Sequence, residues 1–180
     1  DVSEIGVGAL SQLSACTTFN VSSENSNFTT DTTGALFDHS KTKLIAFPCG
    51  SSATTYEIPD TVTTISYGAF SRAASLKTIT IPESSSLSTI GYGAFAFTTA
   101  LETVNEVPAS GDIPFSKSGV KYIYCADKDT KDRIQNKVNG LLVDVLLPDE
   151  TPAIEFTDNG YAYRIDDGKA LLVSAPKNEA

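Results

Sequence analysis

The chain has 180 residues and a mass of 19.0 kDa, which is room for one domain with a sizeable core, or for one domain and part of another. Its 13 Lys and Arg against 22 Asp and Glu give a formal charge of -9, a balance that repels phosphate backbones and argues against a nucleic-acid partner. The longest apolar runs are a few residues, far short of the roughly 20 that a membrane-spanning helix needs.

The chain opens on Asp1-Val-Ser-Glu-Ile5, inside what reads below as a repeat. With no Met in the sequence, the expectation is a processed or truncated piece of a longer protein, preceded by further repeats or a domain boundary. The repeat is clearest further on. Ile65-Ser-Tyr-Gly-Ala-Phe-Ser-Arg-Ala-Ala-Ser-Leu-Lys-Thr-Ile-Thr-Ile-Pro82 superposes on Ile90-Gly-Tyr-Gly-Ala-Phe-Ala-Phe-Thr-Thr-Ala-Leu-Glu-Thr-Val104 with a shift of 25. Ile5, Ala9, Leu10, Cys16, Phe19 and Val21 fit the same frame, so Cys16 is expected in the core.

Next in order, Gly34 to Phe47 places two apolar runs around a polar turn at Asp38 to Lys41, a β-hairpin inserted at about residues 28–47. Ile45-Ala-Phe-Pro48 and Tyr56-Glu-Ile-Pro59 both look like Ile79-Thr-Ile-Pro82, with apolar residues two apart that mark a short strand with one face inward. The pairs Phe19/Val21, Ile45/Phe47, Tyr56/Ile58 and Ile79/Ile81 are therefore predicted to mark strands of one parallel sheet, and Pro48, Pro59, Pro82 and Pro108 each follow a strand and end its ladder, having no N–H to donate. A unit of some 23 to 25 residues cannot enclose its own core; successive units must stack and share one, which predicts a solenoid of about five coils.

Towards the C-terminus, Val120-Lys-Tyr-Ile-Tyr124 supplies a last strand. Asp127 to Gly140 then reads as a helix, with acidic residues in its first turn, Ile134 and Val138 on one side and a glycine stop. It covers the last apolar turn, and Leu141 to Leu147 returns as a strand. The boundaries drawn are a solenoid over 1–147, with its cap at about 120–147, and a segment 148–180 made of a linker and a hairpin around Asp158-Asn-Gly160. That segment is either the opening of a second module or an addition to the cap.

The pattern I-G-x-x-A-F-x-x-C/A-x-x-L-x-x-I-x-I-P followed by x-x-V-x-x-I, over about residues 3–126, resembles the BspA-like leucine-rich repeat family, a bacterial and protozoan surface class. The resemblance implies a mainly β fold with short helical or irregular returns: a right-handed leucine-rich-repeat solenoid with a parallel sheet, the inserted hairpin and a C-terminal capping helix. It also implies a secreted or cell-surface location and an adhesin-like, non-enzymatic module binding a host or extracellular-matrix protein or glycoprotein. The alternative is a structural spacer that projects another domain from the surface. Two departures from the family pattern are a loop lengthened at Ser84 to Ser86 and Thr98 in place of a small apolar residue or Cys. Both are expected where the coil turns or faces outward.

Chemistry is sparse in this sequence. His39 beside Asp38 and Ser40 is an adjacency, and a triad needs side chains converging from separate elements. One His and three scattered Cys supply no tetrahedral metal set. Asp127, Asp129 and Asp132 are explained by a helix N-terminus. No catalytic, metal or cofactor residue is assigned. The candidate binding face comprises the residues flanking the inward pairs, Thr18, Asn20, Thr55, Thr78, Thr80, Thr103 and Asn105, which read either as a recognition platform or as an ordinary solvated sheet face. Tyr67 and Tyr92, with Val7 at the equivalent position, are either an aromatic binding strip or outer-wall packing. Asn20-Val-Ser22 and Asn27-Phe-Thr29 are glycosylation sequons only in a secretory pathway that uses them.

Overall fold

The computed structural model describes residues 2–11, 13–107, 118–125, 127–137, 143–156, 162–166 and 169–174. Its strands are short: β1 (Phe28–Thr30), β2 (Leu36–Asp38), β3 (Lys43–Ala46), β4 (Thr55–Glu57), β5 (Thr64–Ile65), β6 (Thr78–Thr80), β7 (Thr89–Ile90), β8 (Thr103–Val107) and β9 (Tyr122–Cys125). The helix α1 (Lys128–Lys137) follows, then β10 (Asp144–Leu146), β11 (Ile154–Phe156), β12 (Ala162–Asp166) and β13 (Lys169–Ser174).

Each repeat contributes a strand to two ladders. One sheet runs β10-β9-β8-β6-β4 and is parallel throughout. The other runs β1-β2-β3-β5-β7, parallel from β3 to β7 and antiparallel at its hairpin end. Pairing β3/β4, β5/β6 and β7/β8 as successive coils, with β9 as the next, gives four coils, a solenoid whose core is one continuous cluster. Equivalent residues stack along it. Tyr56, Ile79, Val104 and Ile123 are in register and buried in one ladder, and Leu44, Ile65 and Ile90 in the other. Between them Phe47, Phe70 and Phe95 stack with ring centroids 5.3 and 5.4 Å apart.

The turn between ladders explains the Gly-Ala-Phe stretch. Ala69 N–H donates to Ser66 O and Ala94 N–H to Gly91 O, closing turns whose third residue, Gly68 or Gly93, has φ of +61° or +64°. Glycine adopts that backbone without the steric cost of a Cβ. Gly91 has a second reason: a Cβ there would lie 2.5 Å from the backbone nitrogen of Tyr67 in the preceding coil. The last coil is followed by α1, where Asp127 caps the N-terminus by accepting from the Thr130 N–H at 2.7 Å and Ile134 is buried. Beyond it β10 joins the ladder beside β9, and β11, β12 and β13 form a separate antiparallel sheet. Pro108, Val138, Gly140 and the Asp158-Asn-Gly160 turn lie outside the described residues.

Four expectations need correction. The copy at residues 5–21 does not enter the ladders: among the described residues no strand is present there, and Ile5, Leu10, Phe19 and Val21 are half-buried instead of core, which is why the described coils number four and not about five. Cys16 is accordingly half-buried, whereas Cys49 and Cys125 are buried. The segment Ile45-Ala-Phe47 is not a copy of Ile79-Thr-Ile81: β3 belongs to the other sheet, Leu44 and not Ile45 takes the inward slot equivalent to Ile65, and Ile45 is half-buried. Thr98 is fully buried, at the slot of Ala73 in the preceding coil. Its hydroxyl is tolerated because it donates to Phe95 O at 2.6 Å.

The inserted hairpin is present as β2 and β3, extended by β1 into a three-stranded antiparallel meander. Its turn is held by Asp38, whose carboxylate accepts from Ser40 Oγ, Thr42 Oγ1 and the Lys43 N–H at 2.7 to 2.8 Å. Partial burial pushes that carboxyl up, but the three donors outweigh it and leave its pKa below the ordinary value.

Candidate functional site

The outer face of the parallel sheet is built from residues two apart on each strand. Thr55, Thr78 and Thr103 are Cα partners across β4, β6 and β8, and Tyr122 continues the row on β9. A second row holds Glu57, Thr80 and Asn105. The intervening Tyr56, Ile79 and Val104 point inward, which fixes the rows on the opposite face. Parallel strands lie about 4.8 Å apart, so each row repeats at that spacing. The first row carries no charge. Lys77, Glu102 and Lys121 border it one residue earlier, with Lys121 Nζ 3.0 Å from Glu102 Oε1.

Thr18 and Asn20 are not part of this face. Both are exposed, but the Phe19 N–H between them donates to Gly34 O, and no backbone bond joins residues 17–21 to β4 among the described residues. Gly34, with φ of +78°, lies so close to Thr18 that an added Cβ would sit 2.2 Å from its hydroxyl oxygen. The hairpin insertion has taken up the contact that the next coil would have made.

Tyr67 and Tyr92 are brought together. Their rings stack with centroids 6.0 Å apart and 25° between planes, and they are 46% and 75% exposed. Each is the second residue of the glycine turn, so the ladder spacing places one above the other. Val7 does not continue the row: it is 86% exposed, and it is the backbone of Gly8 that meets the Tyr67 ring. One turn further along, Arg72 and Phe97 occupy equivalent positions, both in the left-handed region at φ of +66° and +59°, with the guanidinium 4.9 Å from the ring centroid.

The edge of the parallel sheet is anchored by a buried tyrosine. Tyr56 O–H donates to Asp31 Oδ2 at 2.7 Å, while Asp31 Oδ1 accepts from the Thr33 N–H, Thr33 Oγ1 and the Ala35 N–H. Burial, reinforced by the Asp31 carboxylate, pushes the phenol far above its ordinary pKa, so it stays protonated and keeps its proton for the bond to Asp31.

Sequence reasoning missed the second ladder and what surrounds it. Lys43, Thr64 and Thr89 are in register on β3, β5 and β7. A cleft of about 500 Å³ lies between this sheet and residues 3–11. The signal was present: Thr64-Ile65 and Thr89-Ile90 recur at the 25-residue shift, just ahead of the glycine turn. What the sequence could not show is that this Thr-Ile pair makes a sheet of its own.

Two parallel ladders, a shared apolar core and a helix after the last coil define a repeat protein of the leucine-rich solenoid class. Residues 40–124 match the family described as BspA type Leucine rich repeat region, in six copies, and this repeat region belongs to that family. The match begins at the insertion hairpin and ends with β9, which leaves out the displaced N-terminal copy. No curated protein matches the chain. Among solved structures, a leucine-rich repeat protein from Eubacterium ventriosum is 19% identical, with 81% of this chain and 45% of that one covered and a TM-score of 0.49. A leucine rich cell surface protein from Faecalibacterium prausnitzii is 17% identical, with 83% and 46% covered and a TM-score of 0.46. The pneumococcal vaccine antigen PcpA is 16% identical, with 74% and 51% covered and a TM-score of 0.42. The chain spans about half the length of each of these structures.

Proposed function

We propose that this chain is a non-enzymatic, extracellular protein-interaction module of a bacterial surface protein, and that it binds a host or matrix protein through the threonine face of its parallel sheet. The observation that carries the reading is the uncharged row Thr55, Thr78 and Thr103, held in register on a rigid ladder with Thr80 and Asn105 beside it. Such a face is preorganised, so a partner does not bear the cost of ordering it. The core beneath is independent of the row, because the inward residues alternate with it. No helix among the described residues is long and apolar enough to cross a membrane.

The test is the double variant Thr78→Lys/Thr103→Lys, measured against immobilised matrix glycoproteins. Expected is loss of saturable binding by about tenfold or more, as two cations are desolvated in the contact. The thermal midpoint stays within a few degrees, since surface substitutions change stability by roughly 0.5 kcal/mol or less. Intact binding in a folded double variant removes this face from the function.

A further inference from the structure

In coils 2 and 3 the Thr-Ile pairs form β5 and β7, each bonded to the coil before it: Ser66 N–H donates to Leu44 O at 2.9 Å and Gly91 N–H to Ile65 O at 2.8 Å. The N-terminal copy carries Glu4-Ile5 at the same place in the repeat, followed by its own glycine turn, Ala9 N–H to Gly6 O at 3.0 Å. By the rule of the array, Glu4 and Ile5 should pair with β3. They do not, because that edge is taken. β2 pairs antiparallel with β3, and the Lys43 N–H is held by Asp38 Oδ1 at 2.7 Å.

Two consequences follow for residues 3–7. Their backbone is left over: among the described residues, Ser3, Glu4, Ile5 and Val7 make no backbone hydrogen bond, and Gly6 makes one, through its carbonyl. They are also held away from coil 1. In that coil Phe47 comes three positions after the inward Leu44, whereas in the next two Phe70 and Phe95 come five positions after Ile65 and Ile90, so coil 1 lacks the protruding turn. The N-terminal turn spans the gap and rests on coil 2 at Tyr67 and Gly68. The 500 Å³ cleft is the space beneath, with Ile45 and Ala46 along one side. Ser66 also lines it, and its Oγ is buried with no hydrogen-bond partner among the described residues.

We propose that this cleft takes an extended peptide segment of a partner protein, paired along the unoccupied backbone of residues 3–7. Unpaired N–H and C=O groups along a non-helical stretch are matched by another strand, which supplies both kinds of group at the same repeat. Five residues offer an edge of roughly 16 Å at about 3.3 Å each. Alternate side chains of the segment rest on the half-buried Ile45, which calls for small or apolar residues there. Glu4 and Asp38 against the single Lys43 favour a basic segment over an acidic one. The site goes beyond the threonine-face reading and is separable from it, because it lies on the other sheet.

The probe is a blocked hexapeptide of sequence Lys-Thr-Val-Thr-Val-Lys, titrated into the isotopically labelled chain while backbone amide signals are followed. Expected are saturable shifts in the amides of residues 3–7. Methylating the two valine amide nitrogens of the peptide, which removes donors without altering side chains, weakens binding about tenfold or more. Ile45→Lys, which fills the cleft from a half-buried position, does the same, while Thr78→Lys/Thr103→Lys leaves the affinity unchanged. The proposal is overturned if the methylated peptide binds as well as the parent, if no shift saturates, or if the threonine variant abolishes peptide binding. It is equally overturned if a neutral oligosaccharide such as maltohexaose shifts the same amides and the peptide does not.

Discussion

The copy at residues 5–21 and the copies at 65–81 and 90–104 share an apolar pattern and end in different states. Ile65, Ala69 and Phe70 are buried, as are Ile90, Ala94 and Phe95; Ile5 and Leu10 are half-buried and Ala9 is exposed. The difference does not lie in the copies themselves. Phe70 has Phe47 on one side and Phe95 on the other, whereas the N-terminal copy faces a coil shortened by the hairpin and an edge already filled by β2. In a solenoid a repeat is only as ordered as the surface its neighbour offers, because nearest-neighbour contacts supply most of its stability.

The largest test of this contrast is a pair of truncations. Phe70→Ala removes a fully buried ring from the middle of the stack and is expected to cost about 3–5 kcal/mol. Leu10→Ala, at the matching slot, is expected to cost about 1 kcal/mol or less, since its side chain is already half in water. Chemical denaturation of the two variants checks this, and equal losses would mean that the N-terminal copy is packed as tightly as the others. Smaller is the effect of Asp31→Ala, which strips Tyr56 of its acceptor and the 31–35 turn of its cap. An expected loss of about 1–3 kcal/mol follows from the buried phenol left unsatisfied.

The smallest effect is one of pH. Asp38 has a folded pKa below its unfolded value, so the stability it contributes is present above the ordinary carboxylate range and is lost as pH falls through the lowered value. Asp38→Asn is therefore expected to lower the thermal midpoint near neutral pH and to flatten its decline on acidification, as melting curves between about pH 6 and pH 2 would show. A parallel decline in both proteins would remove Asp38 from the hairpin's stability.

Much of this was legible in the residues. The 25-residue shift fixed the inward Ile65/Ile90 and Ile79/Val104 pairs, and the polar Asp38 to Lys41 stretch fixed the hairpin turn. The row Thr55, Thr78 and Thr103 followed, because side chains alternate along a strand and the inward residue was already known. Two assignments failed for one reason. Ile45-Ala-Phe-Pro48 imitates Ile79-Thr-Ile-Pro82 in composition, and Phe19/Val21 imitates it in spacing, but apolar alternation identifies a strand without saying which ladder it joins. Thr98 was misplaced because a threonine reads as a surface residue until its hydroxyl is seen to bond Phe95 O within the core.

The sequence by itself determined that the chain is a repeat protein, how long its unit is, which residues of the two 25-residue-shifted copies face inward and where the glycine turns fall. These follow from local periodicity, which each copy carries whole. Only the tertiary structure decided that each coil feeds two sheets, that the hairpin takes the edge of β3, and that residues 3–7 are left roofing a cleft. Those outcomes depend on which strand reaches an edge first among several of like composition, and that competition is settled between segments distant in the chain.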